Sequence, residues 1–328
     1  MESQKIKRYG TCFKGSKNKI AEWVYSHFPK ADNFYDLFAG GCAITQIALM
    51  KGDYKRYFAN DIDFSGITIF MESIHGKFRD ETRWISREDF YRLKDKEPYV
   101  KYCWSFGNRG FEYLYSKEVE PWKKALHYAR VYHDFSLLEE FGIKTKDASR
   151  IAVSRHAEAW KKKYIVWYCK NILQSDKDVL KIAENLKLYL PQNYEEVYGL
   201  QELYDCLQRL ESLERLERLE RLSVSNKSYD EVSILPNSVI YSDPPYFQTD
   251  AYTEDEEEGF NHAEFYKWAL RQKELVIISE YKMPDDFICI DAIEKSVTLC
   301  SGGDVKALEK LFIPKTQVEL YQKMLRKR

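Results

Sequence analysis

The first 90 residues constrain the fold most, because short apolar runs alternate there with helical patterns. "NFYDLFAGG" reads as a strand ending in glycines, "CAITQIALMKG" as a helix, "KRYFAND" as a second strand and "SGITIFMESIHG" as another helix. Strand, helix and strand in succession need a crossover connection, so the strands are expected to pair in parallel. From about 91 to 235 the texture changes to longer helical stretches rich in Tyr and Trp, such as "EPWKKALHYARVYHDFSLLEEF" and "SRHAEAWKKKYIVWYCKNIL". After 236 the strand signals return in "SVIYSDPP", "ELVIISEY" and "FICIDAI". The simplest architecture is an α/β domain with a mainly parallel sheet, formed by residues 1–90 and 236–328. A mostly helical insertion over 91–235 interrupts it.

Composition narrows the class. Of 328 residues 44% are hydrophobic and 31% charged, which is enough apolar surface to bury a core and excludes a disordered chain. No apolar run approaches the roughly 18 residues that cross a bilayer, so a cytoplasmic protein without a membrane partner is expected. Seven cysteines, at 12, 42, 103, 169, 206, 289 and 300, show no CxxC and no metal-like pairing with the six histidines. Reduced core thiols and no metal site are expected.

The net charge of -1 hides an asymmetry: residues 91–170 sum to +7, against +2 for 1–90, -5 for 171–235 and -5 for 236–328. A localised basic block is the footprint of a polyanion binder, although a solvated helix surface produces the same count.

The segment "LQRLESLERLERLERLS" repeats leucine with a strict period of three from 207 to 222. Such a stripe rotates by about 60° per step on an α-helix and cannot stay on one face. Glu211/Arg215, Glu214/Arg218 and Glu217/Arg221 are favourable i to i+4 pairs. A charged helix with partly packed leucines is expected.

Chemistry concentrates in three places. In "YDLFAGGCA" glycines follow a strand, where parallel sheets bind cofactors, but adjacent Gly40 and Gly41 do not form G-x-G-x-x-G, so a phosphate site is poorly supported. Instead Asp36 precedes the glycines and Asp61 ends the second strand in "FANDID". Acids so placed suit a cofactor with a ribose and a cationic amine; the competing reading makes them helix caps or loop acids.

The third place is "VIYSDPPYF" at 239–247. Pro244 and Pro245 lack N–H groups and fix their backbone angles, so neither sheet nor helix continues through them. They would hold two acceptors rigidly, the Asp243 carboxylate and the Pro244 carbonyl. Aimed at the two hydrogens of an exocyclic base amine, these acceptors localise a lone pair otherwise delocalised into the ring. Tyr246 offers a face for an extruded base.

The ordered set "FKGSK" (13 to 17), "DLFAGG" (36 to 41), "NDID" (60 to 63), "REDF" (87 to 90), "DPPY" (243 to 246) and "SEY" (279 to 281) resembles the Dam-like DNA adenine methyltransferases of prokaryotes and phages. The resemblance covers about half the chain and implies a Rossmann-like S-adenosylmethionine-dependent methyltransferase domain with a target-recognition insertion. It implies that Tyr9, Gly15 and Lys17 lie near the methionine end of S-adenosylmethionine. Asp36, Phe38, Ala39 and Gly40 would form the cofactor loop, with Asp36 near the methionine amino group. Asp61 would take the ribose hydroxyls, and Asp89 with Phe90 the cofactor adenine. Asp243, Pro244, Pro245 and Tyr246 would be the catalytic turn. Cys42 stands where the family pattern D-x-F-x-G-x-G has its last glycine.

The implied partner is double-stranded DNA, with room for a companion restriction endonuclease. In the insertion, Asn108 and Arg109 between two glycines either reach base edges or phosphates or form an ordinary turn. Lys161, Lys162 and Lys163 beside Tyr164 suit phosphates, or a solvated helix face. The acidic run "DAYTEDEEEG" after the catalytic turn is expected in a mobile loop that points away from DNA or orders only on binding, and "GFNHAEFYKWAL" as the next helix of the sheet domain. The expected activity is adenine N6 methylation of DNA by direct displacement, without a metal or a covalent intermediate. A cytosine amino-group enzyme, an RNA adenine methyltransferase and a catalytically silent DNA-binding homologue are the alternatives.

Overall fold

Among the residues described by this computed structural model, namely 9–144, 160, 163–173, 218–246, 260–298 and 304–326, strands join into one seven-stranded sheet. They are β1 (Asn33–Asp36), β2 (Arg56–Asn60), β3 (Leu222–Ser225), β4 (Ser238–Ser242), β5 (Leu275–Glu280), β6 (Phe287–Thr298) and β7 (Asp304–Pro314). Their order across the sheet is β3-β2-β1-β4-β5-β7-β6. Every pairing among β1 to β5 is parallel, as the alternation of strands and helices requires, whereas β7 pairs antiparallel with both β5 and β6. The antiparallel edge was not legible, because "FICIDAI" carries no mark of strand direction.

The described helices are α1 (Ala21–Ser26), α2 (Ala43–Lys51), α3 (Ser65–Ile74), α4 (Arg87–Leu93), α5 (Pro98–Cys103), α6 (Glu120–His127), α7 (Ser136–Glu140), α8 (His262–Arg271) and α9 (Val318–Leu325). Alternation along the strands sends neighbouring side chains to opposite faces. Phe34, Val239, Tyr241, Leu275 and Ile277 pack with residues of α1, α2, α3 and α9. Tyr35, Ile240, Val276 and Ile278 pack with Phe265, Trp268 and Ala269 of α8. Burial on both faces explains why these strands read as continuous apolar runs rather than alternating ones.

The chain divides into two compact units. The first comprises Met1–Asp80, Tyr194–Thr298 and Asp304–Arg328, and the second Glu81–Asn193 with Leu299–Gly303. Residues 81–90 thus group with the second unit and 194–235 with the first. Strand β3 enters the sheet from within the stretch that reads as insertion, since its four residues "LSVS" are too short and too exposed to stand out. Just before it, Arg218 donates to the Leu49 and Met50 carbonyls at the end of α2, and Leu219 and Leu222 pack on the core. The rest of the leucine repeat, 207–217, lies outside the described residues.

In the second unit Trp84 packs against Trp104, Tyr115 and His127. "EPWKKALHYARVYHDFSLLEEF" is not one helix: α6 passes into a π-helical turn, His133 takes a left-handed conformation at φ 57°, and α7 starts at Ser136. Asp134 accepts from the Ser136 N–H and re-starts the chain. No described helix is long and apolar enough to cross a membrane. Cys42 and Cys289 are free thiols.

Candidate active site

Three adjacent parallel strands bring three acids to one edge of the sheet. Asp36 closes β1 and stands in register with Ala59 of β2 and Tyr241 of β4. Asp61 and Asp243 therefore each extend two residues beyond it on either side. The sheet grows from β1 to β2 in one direction and from β1 to β4 in the other, and open α/β sheets bind ligands at such a reversal.

The glycine loop is built by close backbone approach. The Gly40 N–H donates to Asp61 at 2.7 Å, and the Thr11 N–H to the Gly41 carbonyl at 2.7 Å. Cys42 takes the left-handed conformation a glycine would adopt, at φ 60°, and is buried at the start of α2. For a residue with a Cβ this costs about 1 kcal/mol. Approaches that only glycine permits surround it: a Cβ at Gly41 would stand 2.7 Å from the Thr11 carbonyl oxygen, and one at Gly66 2.1 Å from the Gly40 carbonyl oxygen. Gly66→Ala is therefore expected to displace the loop and lower stability by about 1–3 kcal/mol. Thermal unfolding checks this, and an unchanged midpoint would contradict it.

Burial dominates the acids. Asp36 is fully buried; one carboxylate oxygen accepts from the Thr45 N–H at 3.1 Å and hydroxyl at 2.7 Å, and the other has no partner among the described residues. Loss of hydration raises its pKa from 3.8 to about 7, reinforced by the Asp243 and Asp61 charges and opposed by Thr45. Burial likewise lifts Asp61 to about 6, against the Gly40 and Asp63 N–H groups that hold its charged form. Both acids bind protons more tightly folded than unfolded. Their contribution to stability is thus complete below about pH 4 and is lost as pH rises through 6 to 7. Urea denaturation from pH 4 to pH 8 is expected to show Asp36→Asn gaining steadily on the native chain; a constant gap would contradict the raised value.

The third acid is paired. Asp243 leaves β4 at the prolines, with Pro244 buried. The Lys17 ammonium, brought by the "FKGSK" segment, donates to both Asp243 oxygens at 2.6 Å. It lies 4.8 Å from the centroid of the Tyr246 ring and 3.7 Å from a Glu309 carboxylate oxygen on β7. The Tyr246 hydroxyl donates to that same Glu309 oxygen, and the Tyr246 ring meets Tyr281 edge-on at 4.6 Å. Burial raises the Tyr246 phenol well above its ordinary value, so it stays a proton donor. The arrangement places N–H donors on a carboxylate beneath an aromatic face. Reading the sequence grouped Lys17 with the cofactor and missed Glu309, whose only signal is an acid within "KALEKLFIP".

The remaining expected residues are placed as follows. Tyr9 is buried and donates to Glu22, and Gly15 has φ 78°. The Ala39 N–H donates to the Asn60 carbonyl. Phe38 packs among Tyr229, Phe260 and Phe265. Ile62, next to Asp61, is 73% exposed and was not singled out. Asp89 and Phe90 belong to the second unit: Asp89 bonds Ser86 and Arg92, and Phe90 is fully buried beside Tyr113. Asn108 donates to the Tyr102 carbonyl inside a turn in which Gly107, Asn108 and Gly110 all have positive φ. Arg109 and Lys163 are exposed. Lys161, Lys162 and the acidic run at 250–259 lie outside the described residues.

Two features of the first unit fit S-adenosylmethionine: the unpartnered buried oxygen of Asp36, suited to an ammonium group, and a glycine loop whose backbone a Cβ would obstruct. Residues 13–172 match the sequence profile of the D12 class N6 adenine-specific DNA methyltransferases, a span from the Lys17 segment through the glycine loop into the second unit. It ends before the turn at Asp243. No curated protein matches the chain significantly. Over residues 13–172 the chain is similar to the D12 class N6 adenine-specific DNA methyltransferase family.

Proposed function

We propose that the first unit binds S-adenosylmethionine and methylates the exocyclic amine of an adenine extruded from duplex DNA, with Asp243, Pro244, Pro245 and Tyr246 as a rigid clamp for that amine. The observation that carries this reading is the Lys17 ammonium on both oxygens of Asp243, under the Tyr246 ring. A base amine with its ring against Tyr246 satisfies the same acceptor and the same aromatic face. Stacking of that kind contributes roughly 1–3 kcal/mol per base, offsetting much of the few kcal/mol needed to flip a base out.

When bound, S-adenosylmethionine supplies an electrophilic methyl group. The residues of the chain do the positioning. Asp36 receives the amino group through its unpartnered oxygen, and the backbone of Ala39 and Gly40 lines the cofactor. Asp61 takes the ribose hydroxyls, with the exposed Ile62 as an apolar surface beside them. Asp243 and the Pro244 carbonyl orient the target amine, which must displace Lys17. The second unit acts as the target-recognition part, its basic block offering Arg109 and Lys163 to phosphates.

Incubation with tritiated S-adenosylmethionine and equal masses of unmethylated duplex DNA, single-stranded DNA and RNA tests the substrate class. Incorporation is expected in the duplex; label in RNA alone would refute the reading.

A further inference from the structure

Glu309 is the one carboxylate at this edge that no sequence motif announces. It sits on β7, one residue from the Glu280–Lys310 register pair that ties β7 to the end of β5. It is 1% exposed, yet it shares the Lys17 ammonium with Asp243, and its charge acts on the Tyr281 phenol together with those of Glu280 and Asp243. A buried carboxylate is tolerated only where donors and opposite charge meet it. Here the Tyr246 hydroxyl donates to its Oε1, and the Lys17 ammonium stands 3.7 Å from the same atom.

We infer that Glu309 is a positioning residue for methyl transfer, acting through Tyr246. This rests on the reading of Asp243 to Tyr246 as the amine clamp. The prolines fix the backbone of the turn but leave the Tyr246 ring free to rotate about its side-chain torsions. That freedom is restricted by the edge-on packing of Tyr281 and by the hydroxyl bond to Glu309, which reaches in from β7 across β5. The Tyr281 contact sets the distance of the ring, and the Glu309 bond sets its direction. Because the phenol stays protonated, the bond keeps its polarity across the working pH range.

Glu309 also shares Lys17 with Asp243. When an incoming amine takes Asp243, the ammonium has a second carboxylate within a small movement and stays in the site as its counter-charge. The Tyr246 ring is thereby held over a clamp whose acceptor can be vacated.

A double-mutant cycle on the full chain tests this with Tyr246→Phe, Glu309→Leu, which leaves the hydroxyl no acceptor at that position, and the pair. Transfer to unmethylated bacterial chromosomal DNA gives kcat, and calorimetry gives S-adenosylmethionine affinity. Each single variant is expected to lose ~10-fold in kcat with cofactor affinity within about twofold, and the pair to lose ~10- to 20-fold rather than ~100-fold, because both remove one interaction. Should Glu309→Leu fail to bind S-adenosylmethionine, Glu309→Asp, which keeps the charge but withdraws it by one methylene, replaces it in the same cycle. Multiplicative losses, or a Glu309 variant with native kcat, would overturn the inference while leaving the clamp standing. A native chain with no transfer to DNA would overturn the clamp reading and this inference with it.

Discussion

Asp243→Ala is expected to lower methyl transfer by ~10³-fold while leaving S-adenosylmethionine affinity within about threefold. The exocyclic amine of adenine is a weak nucleophile, because its lone pair is delocalised into the ring. On the proposed reading the Asp243 carboxylate, at the end of β4 before two prolines, is the charged acceptor that localises it. The acids assigned to the cofactor, Asp36 and Asp61, sit on β1 and after β2 with hydrogen bonds of their own to Thr45, Gly40 and Asp63. Removing Asp243 breaks none of these, and Lys17 retains Glu309 at 3.7 Å. Single-turnover transfer and cofactor calorimetry on the same preparation separate the two effects. Unaltered turnover would refute the assigned role, and joint loss of binding and transfer would point to a damaged fold.

Lys17→Met is expected to destabilise the folded chain by about 3 kcal/mol. The ammonium is 5% exposed and serves Asp243 in a bidentate pair with Glu309 close by. Taking it away leaves two carboxylates in a site already holding Asp36 and Asp61, with no compensating change in burial. Breaking a buried pair from one side costs more than the pair itself contributes, because the abandoned charge stays desolvated. Urea denaturation at neutral pH measures the effect, and the loss is expected to shrink at acid pH, where the orphaned carboxylates can take up protons. Equal stability of variant and native chain across that range would contradict the pairing.

How much of this was legible in the sequence follows from the distances along the chain over which each feature is decided. The strands β1, β2, β4 and β5 were legible, since burial on both faces makes each a continuous apolar run and glycines or prolines close two of them. The row of Asp36, Asp61 and Asp243 followed from the same local signals. Lys17 was expected near the methionine end of the cofactor, whereas its seat on Asp243 joins residues 226 apart, and the Tyr246–Glu309 bond spans 63. Neither spacing leaves a periodic trace. Cys42 stands where a glycine belongs in the pattern, yet the backbone adopts the left-handed turn regardless, and a further close approach is at Gly66, which reads only as a helix residue. The break at His133 was hidden because both sides of it read as helix. Asn108 offered two readings, and its bond to the Tyr102 carbonyl commits its amide to the turn.

The most direct measurement is the identity of the modified nucleoside. Duplex DNA methylated by the native chain with isotopically labelled S-adenosylmethionine, digested to nucleosides and resolved by mass spectrometry, is expected to carry the label in N6-methyldeoxyadenosine. Label in N4-methyldeoxycytidine, or unlabelled DNA from a folded chain that binds S-adenosylmethionine, would contradict an adenine amine held at Asp243.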